Sequence, residues 1–269
     1  MALRLSGVSL RIAFDGARAS DKLASSPDFE SEALMPSAAP TPAGSVDFGR
    51  SFSFVTEDPE WIKKILIGGA FTLACALLVG VPFVLGYFSR ALRNVVAGEP
   101  RPMPEWDDLG GIFNEGLRLT AVYLLYTLAI VAVLAALGAV VILPVIALSG
   151  AGDAASDAIG VLGGLGVVAA YGFVMLASLA LAVYLPAALA RSALRGTVAD
   201  GFAWREIVAF IRANLANYLI ALVIYLLASF LSQFGLILCC VGVFPAAFWG
   251  YMVLAGALGQ TVRLSAVPV

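Results

Sequence analysis

The chain has 269 residues, of which 61% are hydrophobic and only 13% are charged, and its formal net charge is −2. Soluble domains are roughly half apolar and about a quarter charged, so this composition is typical of a protein with several membrane spans. The lack of histidine excludes Ser-His-Asp and Cys-His nucleophile pairs and His-based zinc or haem sites, and the charge gives no indication of nucleic-acid binding.

The N-terminal stretch differs in composition from the rest of the chain. It contains "ASSPDFESEALMPSAAPTPAGS", which is rich in Ser, Ala, Pro and acidic residues and has no hydrophobic period. Such a segment cannot bury enough apolar surface to offset the entropy lost on ordering. We therefore expect a disordered cytoplasmic tail over 1–52 and a transmembrane helical domain over 53–269. The first residues, "MALRLSGVSLRIAFDGAR", contain no continuous apolar segment of the signal-peptide type, so we expect no cleaved signal peptide.

Long stretches without Asp, Glu, Lys or Arg follow at 65–89, 119–152, 158–190 and 213–262. Each exceeds the roughly 20 residues that cross a hydrocarbon core. Residues 62–97 as one helix would be about 54 Å long against a core of about 30 Å, and "GVPF" at 80–83 and "VGVFP" at 241–245 favour breaks. The sequence therefore predicts an all-α, polytopic transmembrane bundle with about six spans in short hairpins, over 62–79, 82–98, 118–146, 158–190, 214–240 and 245–262.

The distribution of basic residues gives an orientation for this arrangement. If the N-terminus lies inside, all 16 Lys and Arg residues fall on inside segments, and the outside loop at 149–157 carries only Asp153 and Asp157. A single long first helix would instead separate Lys63 and Lys64 from Arg90 and Arg93. The positive-inside rule thus favours the hairpin and places both termini in the cytoplasm.

Two segments, at about 80–118 and 178–216, share a spacing at an offset of 98 residues. In each copy an Arg lies five residues before a Gly, and a Trp lies eight residues after that Gly. The matching residues are Arg93, Gly98 and Trp106, then Arg191, Gly196 and Trp204. Each Trp leads into a segment with an apolar face, so we expect parallel repeat units, each followed by an interfacial amphipathic helix.

The first copy contains the most polar stretch of the middle of the chain, which we call the elbow (residues 93–113). Trp suits the membrane boundary, Gly98 ends a span, and carboxylates stabilise the start of the next helix. The candidate interfacial residues are Trp61, Lys63, Lys64, Arg90, Arg93, Gly98, Glu105, Trp106, Asp107, Asp108, Arg191, Gly196 and Trp204. The alternatives are a binding site and a hydrolase in which Glu105, Asp107 and Asp108 hold a metal.

Two motifs carry a family resemblance. The first is "EDPEWIKKILIGG", with D-x-x-W-x-x-K-x-L-I-G-G at 58–69, and the second is G-E-x-x-P-x-P-x-W-D-D at 98–108, followed by "FNEGLRL". The chain resembles the prokaryotic membrane family called domain of unknown function 4013 over about 54–262. The resemblance implies an integral protein of the prokaryotic cytoplasmic membrane, and it supplies no catalytic residue.

Charge-free spans and missing catalytic sets predict a non-enzymatic protein without cofactor or metal. We expect a scaffold or interaction subunit of a membrane complex, or a lipid-associated protein. Its expected partners are membrane lipids and a membrane protein or second copy, bound through Gly- and Ala-rich helix faces such as 160–172. The alternative is a permease or lipid transporter for a neutral or amphipathic substrate, because ion-coupled carriers usually need intramembrane ionisable residues.

Overall fold

The computed structural model describes residues 44–148, 153–237, 241–267 and 269, so the predicted tail lies outside it up to residue 43. The described residues form eight α-helices and no strand, which confirms the all-helical class. They are α1 (Phe48–Thr56), α2 (Trp61–Ala74), α3 (Gly80–Ala97), α4 (Leu109–Leu148), α5 (Asp153–Arg195), α6 (Trp204–Ala213), α7 (Leu215–Gln233) and α8 (Val243–Leu264).

Four of the helices are long and apolar enough to cross a membrane. The qualifying stretches are Leu109–Val140, Gly163–Arg195, Leu215–Ile237 and Val243–Leu264. The helices α2 and α3 have 14 and 18 residues, which corresponds to about 21 and 27 Å at ~1.5 Å per residue. They are therefore shorter than an ordinary span, and they form the pair that the sequence predicts as the first hairpin.

The break between α2 and α3 lies earlier than predicted. A 3-10 turn at Cys75–Leu77 is followed by Leu78, which has a φ of +62°, and α3 begins at Gly80. Pro82 falls in the first turn of α3, where a missing N–H breaks no helical hydrogen bond. Gly80 is required by close packing, because a Cβ there would lie 2.0 Å from the Phe71 carbonyl oxygen. Pro82 is therefore compatible with the first turn of α3 and does not interrupt a helix.

The two copies of the proposed repeat differ after their Trp residues. After Trp106, the expected surface helix is absent as a separate element, because α4 runs without interruption from Leu109. After Trp204, the short amphipathic helix α6 is present and buries Ile207 and Phe210. Asn214, with a φ of −118°, separates α6 from α7. The first copy has no equivalent break, so its apolar segment became the first turns of a long helix.

The helical unit begins before the predicted boundary at residue 53. Asp47 caps α1 by accepting a hydrogen bond from the Arg50 N–H at 3.0 Å, and Phe54 and Val55 are buried. Phe54 packs so closely on α8 that a Cβ at Gly256 would lie 2.5 Å from its ring. Residues 48–52 thus belong to a packed helix, and the unit spans Ser45–Val269.

Helix α8 lies at the centre of this unit. It packs against α1, α2, α3 and α7, and its buried residues include Phe248, Met252 and Leu258. The later part of α4 and the earlier part of α5 are different, because they expose many apolar side chains. Examples are Val131, Val140, Val168 and Leu176, each at least 54% exposed. The start of α4 and the end of α5 contain buried residues instead, and they contribute to the core that supports the elbow.

Candidate functional site

The first family motif forms a buried ion pair at the start of α2. Lys64 Nζ lies 2.7 Å from Asp58 Oδ2, and both side chains are only 3% exposed. Asp58 also accepts a hydrogen bond from the Glu60 N–H, and its carbonyl accepts one from the Trp61 N–H. The carboxylate thus organises the helix start at the same time as it neutralises the lysine.

The second motif supplies the remaining partners of Lys64. The ammonium group lies 2.6 Å from Glu105 and donates a hydrogen bond of 3.2 Å to the Met103 carbonyl. The Tyr87 hydroxyl donates to the Pro104 carbonyl at 2.7 Å, and Asn94 donates to the Pro102 carbonyl at 3.0 Å. The proline-containing connector is therefore held on both sides by side chains from α2 and α3.

Gly98 ends α3 as predicted. Its φ of +79° is left-handed, its N–H bonds the Val95 carbonyl, and the Glu99 N–H bonds the Asn94 carbonyl. This pair of bonds is a Schellman motif, in which glycine avoids the strain of a side chain. The chain can therefore turn directly from α3 into the connector.

Trp106 lies half-buried between rings of α2 and α3. Its ring centroid is 4.3 Å from that of Tyr87 and 5.0 Å from that of Phe71, and both contacts are stacked. The indole N–H donates a hydrogen bond of 3.1 Å to the Lys64 carbonyl. The tryptophan therefore packs inside the protein, and a purely lipid-facing anchor does not describe it.

Asp108 caps the start of α4 and also binds an arginine. Its Oδ1 accepts a hydrogen bond from the Gly111 N–H at 2.9 Å, and its Oδ2 lies 2.7 Å from Arg90. The Arg90 hydrogen bond, followed by that of Gly111, holds the pKa of Asp108 below its ordinary value. Glu115 on α4 bridges Arg90 at 3.0 Å and Arg93. The end of α3 and the start of α4 are thus joined by ion pairs.

Three candidate residues lie at the edge of this network. Lys63 is exposed and pairs with Glu60 at 2.7 Å, and Trp61 is partly buried against the core. Asp107 is exposed and has no ion pair in the described part of the chain. Among the predicted residues at 61–108, these three contribute least to the contacts of the elbow.

The second copy keeps the glycine and changes the surroundings of the other residues. Gly196 has a φ of +82°, and its carbonyl accepts a hydrogen bond of 2.5 Å from Arg118. Trp204 is 61% exposed, and the Arg205 guanidinium lies 5.3 Å from its ring. Arg191 is buried and lies 3.9 Å from Asp200, and its Nε has no hydrogen-bond partner among the described residues.

The contacts of the three elbow acids differ. Glu105 contacts Lys64, Asp108 contacts Arg90 and a helix N-terminus, and Asp107 faces solvent. The described residues contain no group of three or more His, Cys, Asp or Glu side chains placed to hold a metal ion. The arrangement as found stabilises a chain turn and neutralises two basic side chains.

Four side chains that contribute to these contacts were absent from the predicted set: Asp58, Tyr87, Asn94 and Glu115. Asp58 is the first residue of the D-x-x-W-x-x-K motif, so the sequence contained a signal for it. Tyr87 and Glu115 contact the elbow only through the packing of α3 against the connector and α4. Glu115 lies within the "FNEGLRL" segment at 113–119 that accompanies the second motif, whereas no local pattern distinguishes Tyr87 from the other apolar residues of α3.

A separate feature is a cavity between the helices, which we call the central cavity. Its volume is about 470 Å³, and six helices and the turn after α2 contribute to its walls. Three tyrosines line it: Tyr123 of α4, Tyr225 of α7 and Tyr251 of α8. The central cavity thus places phenol groups beside apolar surfaces.

The family described as "Protein of unknown function (DUF4013)" has a model that matches residues 70–241. This range contains the whole of the second motif, while the first motif, at 58–69, lies just before it. No curated protein and no solved structure matches the chain.

Proposed function

The chain belongs to the DUF4013 family of proteins of unknown function, and from that premise we propose that it is a non-enzymatic integral membrane protein. It acts through contacts, as a scaffold or interaction subunit of a membrane complex or as a lipid-associated protein. The observation that carries this proposal is that the polar residues of the elbow bind other parts of the same chain. Glu105 and Trp106 contact Lys64, and Asp108 contacts Arg90 and the start of α4, so these groups stabilise the fold.

The hairpin of α4 and α5 supplies the surface for such contacts. Its exposed apolar residues continue over many turns, from Leu124 and Leu128 on α4 to Val168 and Leu176 on α5. Contiguous apolar surface of this extent marks contact with lipid or with another protein. Helices α4 and α5 are also about 60 and 65 Å long at ~1.5 Å per residue, so they extend beyond a hydrocarbon core of about 30 Å.

The direct experiment is affinity purification of the tagged full chain in mild detergent, followed by mass spectrometry of bound proteins and lipids. The proposal predicts reproducible enrichment of a membrane protein, of a second copy or of a defined lipid over a tagged membrane protein of similar size. A monomer without any enriched partner or lipid would contradict it.

We further propose six spans, with α2 and α3 as two short ones and both termini in the cytoplasm of a prokaryotic cell. The contacts of the elbow support this topology. Lys64 near the start of α2 and Arg90 near the end of α3 bind neighbouring acids, Glu105 and Asp108, so these two helix ends lie at the same end of the bundle. A chain that crossed only once over 62–97 would place the two basic groups on opposite sides.

Cysteine labelling tests this topology. In a background with Cys75, Cys239 and Cys240 replaced by Ser, single cysteines are introduced at Ser156, Ser45 or Thr197. Ser156 should react with an impermeant thiol reagent from outside intact cells, and the other two positions should react only after permeabilisation. The reverse pattern would overturn the orientation.

A second candidate function is a permease or lipid transporter for a neutral or amphipathic substrate. The observation that favours it is the central cavity, which several helices build between them. Ligand sites of helical bundles commonly have this form, with volumes of about 300–1,000 Å³. Reconstitution into liposomes with a fluorescent lipid-transfer assay tests it. Transfer no faster than in protein-free liposomes would remove this candidate.

A further inference from the structure

The central cavity runs along α3 toward the charged end of that helix. Its α3 wall extends from Val81 to Phe88, which is two to nine residues before Arg90. At ~1.5 Å per residue this places the wall about 3–14 Å along the helix from that arginine. None of the described residues that line the cavity is Asp, Glu, Lys or Arg. A ligand held there meets a hydrocarbon-like environment.

Most of the wall is apolar and suits a hydrocarbon chain. Leu85 and Phe88 of α3, Leu189 of α5 and Leu254 of α8 contribute to it. The cavity also has an accessible edge, because Tyr123 is 39% exposed and Ala182, another lining residue, is exposed. A molecule can therefore enter between the helices from the surrounding membrane.

The polar groups of the cavity are uncharged hydrogen-bonding groups. The rings of Tyr225 and Tyr251 are stacked with centroids 6.3 Å apart, so two phenol groups come from neighbouring helices α7 and α8. Pro186 has no N–H to donate to the carbonyl of Ala182, four residues earlier, and both residues line the cavity. The cavity thus combines hydroxyl donors with a backbone acceptor that lacks its usual helical partner.

We propose that the central cavity binds one neutral amphipathic lipid. Its hydrocarbon chain packs against the walls from α3 and α5, and its hydroxyl or ester group bonds to the tyrosine hydroxyls and to the Ala182 carbonyl. An ionised headgroup is disfavoured inside the cavity, because none of the described lining residues carries an opposite charge and burying an unpaired charge among apolar walls is costly. This assignment rests on the membrane location proposed above, and it names the substrate class of the transporter candidate.

Photocrosslinking tests the assignment with the full chain in phosphatidylcholine nanodiscs. The probe is a diacylglycerol with a diazirine in one acyl chain, and crosslinked peptides are identified by mass spectrometry. Ala182→Phe places a ring at the cavity, whereas Ala180→Phe adds the same ring on the opposite, exposed face of α5. We expect crosslinks to α3 peptides within 80–89, reduced about tenfold by Ala182→Phe and less than about twofold by Ala180→Phe.

A double variant and a second lipid probe test the assignment if Ala182→Phe fails to fold. The double variant Tyr225→Phe and Tyr251→Phe keeps the shape of the cavity, and it should lower diacylglycerol capture while the chain stays monodisperse. A phosphatidic acid probe with the same acyl chains should crosslink to α3 several-fold less than the diacylglycerol. Equal capture of the two probes, or capture unchanged in the double variant and in a folded Ala182→Phe variant, would overturn the assignment.

The crosslinking experiment and the affinity purification test the lipid site and the scaffold role separately. A protein that pulls down a partner but shows no selective crosslink at α3 keeps the scaffold role and loses the lipid site. A protein that shows the selective crosslink but has no protein partner keeps the lipid site and loses the scaffold role.

Discussion

Lys64 and Asp58 form an ion pair in which Nζ and Oδ2 are 2.7 Å apart and each side chain is only 3% exposed. The same ammonium group contacts Glu105 and the Met103 carbonyl. The start of α2 is thereby fixed to the connector that follows α3, about forty residues later in the sequence. Taking two charges out of water is costly, so each depends strongly on its partner.

Lys64→Met should therefore destabilise the protein strongly. The substitution leaves Asp58 buried without its counter-charge, and breaking a buried pair in this way typically costs about 3–5 kcal/mol. Thermal unfolding in detergent measures the effect. Lys63→Met is the matched control, because Lys63 and Glu60 are both exposed and their pair contributes little. Equal melting temperatures of the two variants would show that Lys64 does not hold the connector.

The two tryptophans of the repeat should respond differently to truncation. Trp106→Ala removes a ring stacked between Tyr87 and Phe71 and should lower the free energy of unfolding by about 3 kcal/mol. Trp106→Phe should recover much of this, because it keeps the ring contacts and loses only the hydrogen bond to the Lys64 carbonyl. Trp204→Ala should change stability by less than about 0.5 kcal/mol, since this side chain is mostly exposed. Similar losses at both positions would indicate that the two tryptophans have equivalent roles.

Gly98 should not tolerate a side chain. Gly98→Ala forces a Cβ into a left-handed conformation and should cost about 1–2 kcal/mol. Gly110→Ala is the control within α4, where a Cβ meets nothing within 4 Å and alanine is the better helix former. It should leave the melting temperature unchanged or raise it slightly. A neutral Gly98→Ala variant would remove the Schellman turn as a determinant of the elbow.

The charge of Asp108 should stabilise the protein in a pH-dependent way. Its pKa is lowered in the folded state, so the contribution is present above the unfolded pKa and is lost as the pH falls through the folded pKa. Asp108→Asn keeps the cap and removes the charge. The difference in melting temperature between wild type and this variant should be visible at neutral pH and should disappear in acid. A difference that is independent of pH would show that Arg90 does not stabilise the charged form.

Local chemistry was enough to predict the turn at Gly98 and the carboxylate at the start of α4. Glycine at a helix end and an acid at a helix start each act on the adjacent backbone, so a short sequence window contains the information. The contacts of Lys64 with Glu105 and Met103 could not be read in this way, because they join residues about forty positions apart. Their formation depends on how α2 and α3 pack.

The repeat also shows where spacing stops being informative. Gly98 and Gly196 share one backbone conformation, whereas Trp106 is stacked inside the protein and Trp204 is exposed. The matched spacing therefore predicts the shared backbone turn at the glycine, but it does not predict which residues surround the tryptophan. The position of the α2–α3 break was missed for a related reason, since Pro82 suits a helix start as well as a helix interruption.

The central claim is that the elbow acts structurally, and Asp107 gives its most direct test. Glu105, Asp107 and Asp108 are all exposed, but Asp107 is the one of these three acids that forms no ion pair with the described residues, so it is free to act on a ligand and is less involved in folding than the other two. Melting temperature and complementation of a deletion strain are measured together for Asp107→Asn. The structural account predicts wild-type stability and full complementation. A folded Asp107→Asn protein of wild-type stability and abundance that fails to complement would contradict it and would make the elbow a functional site.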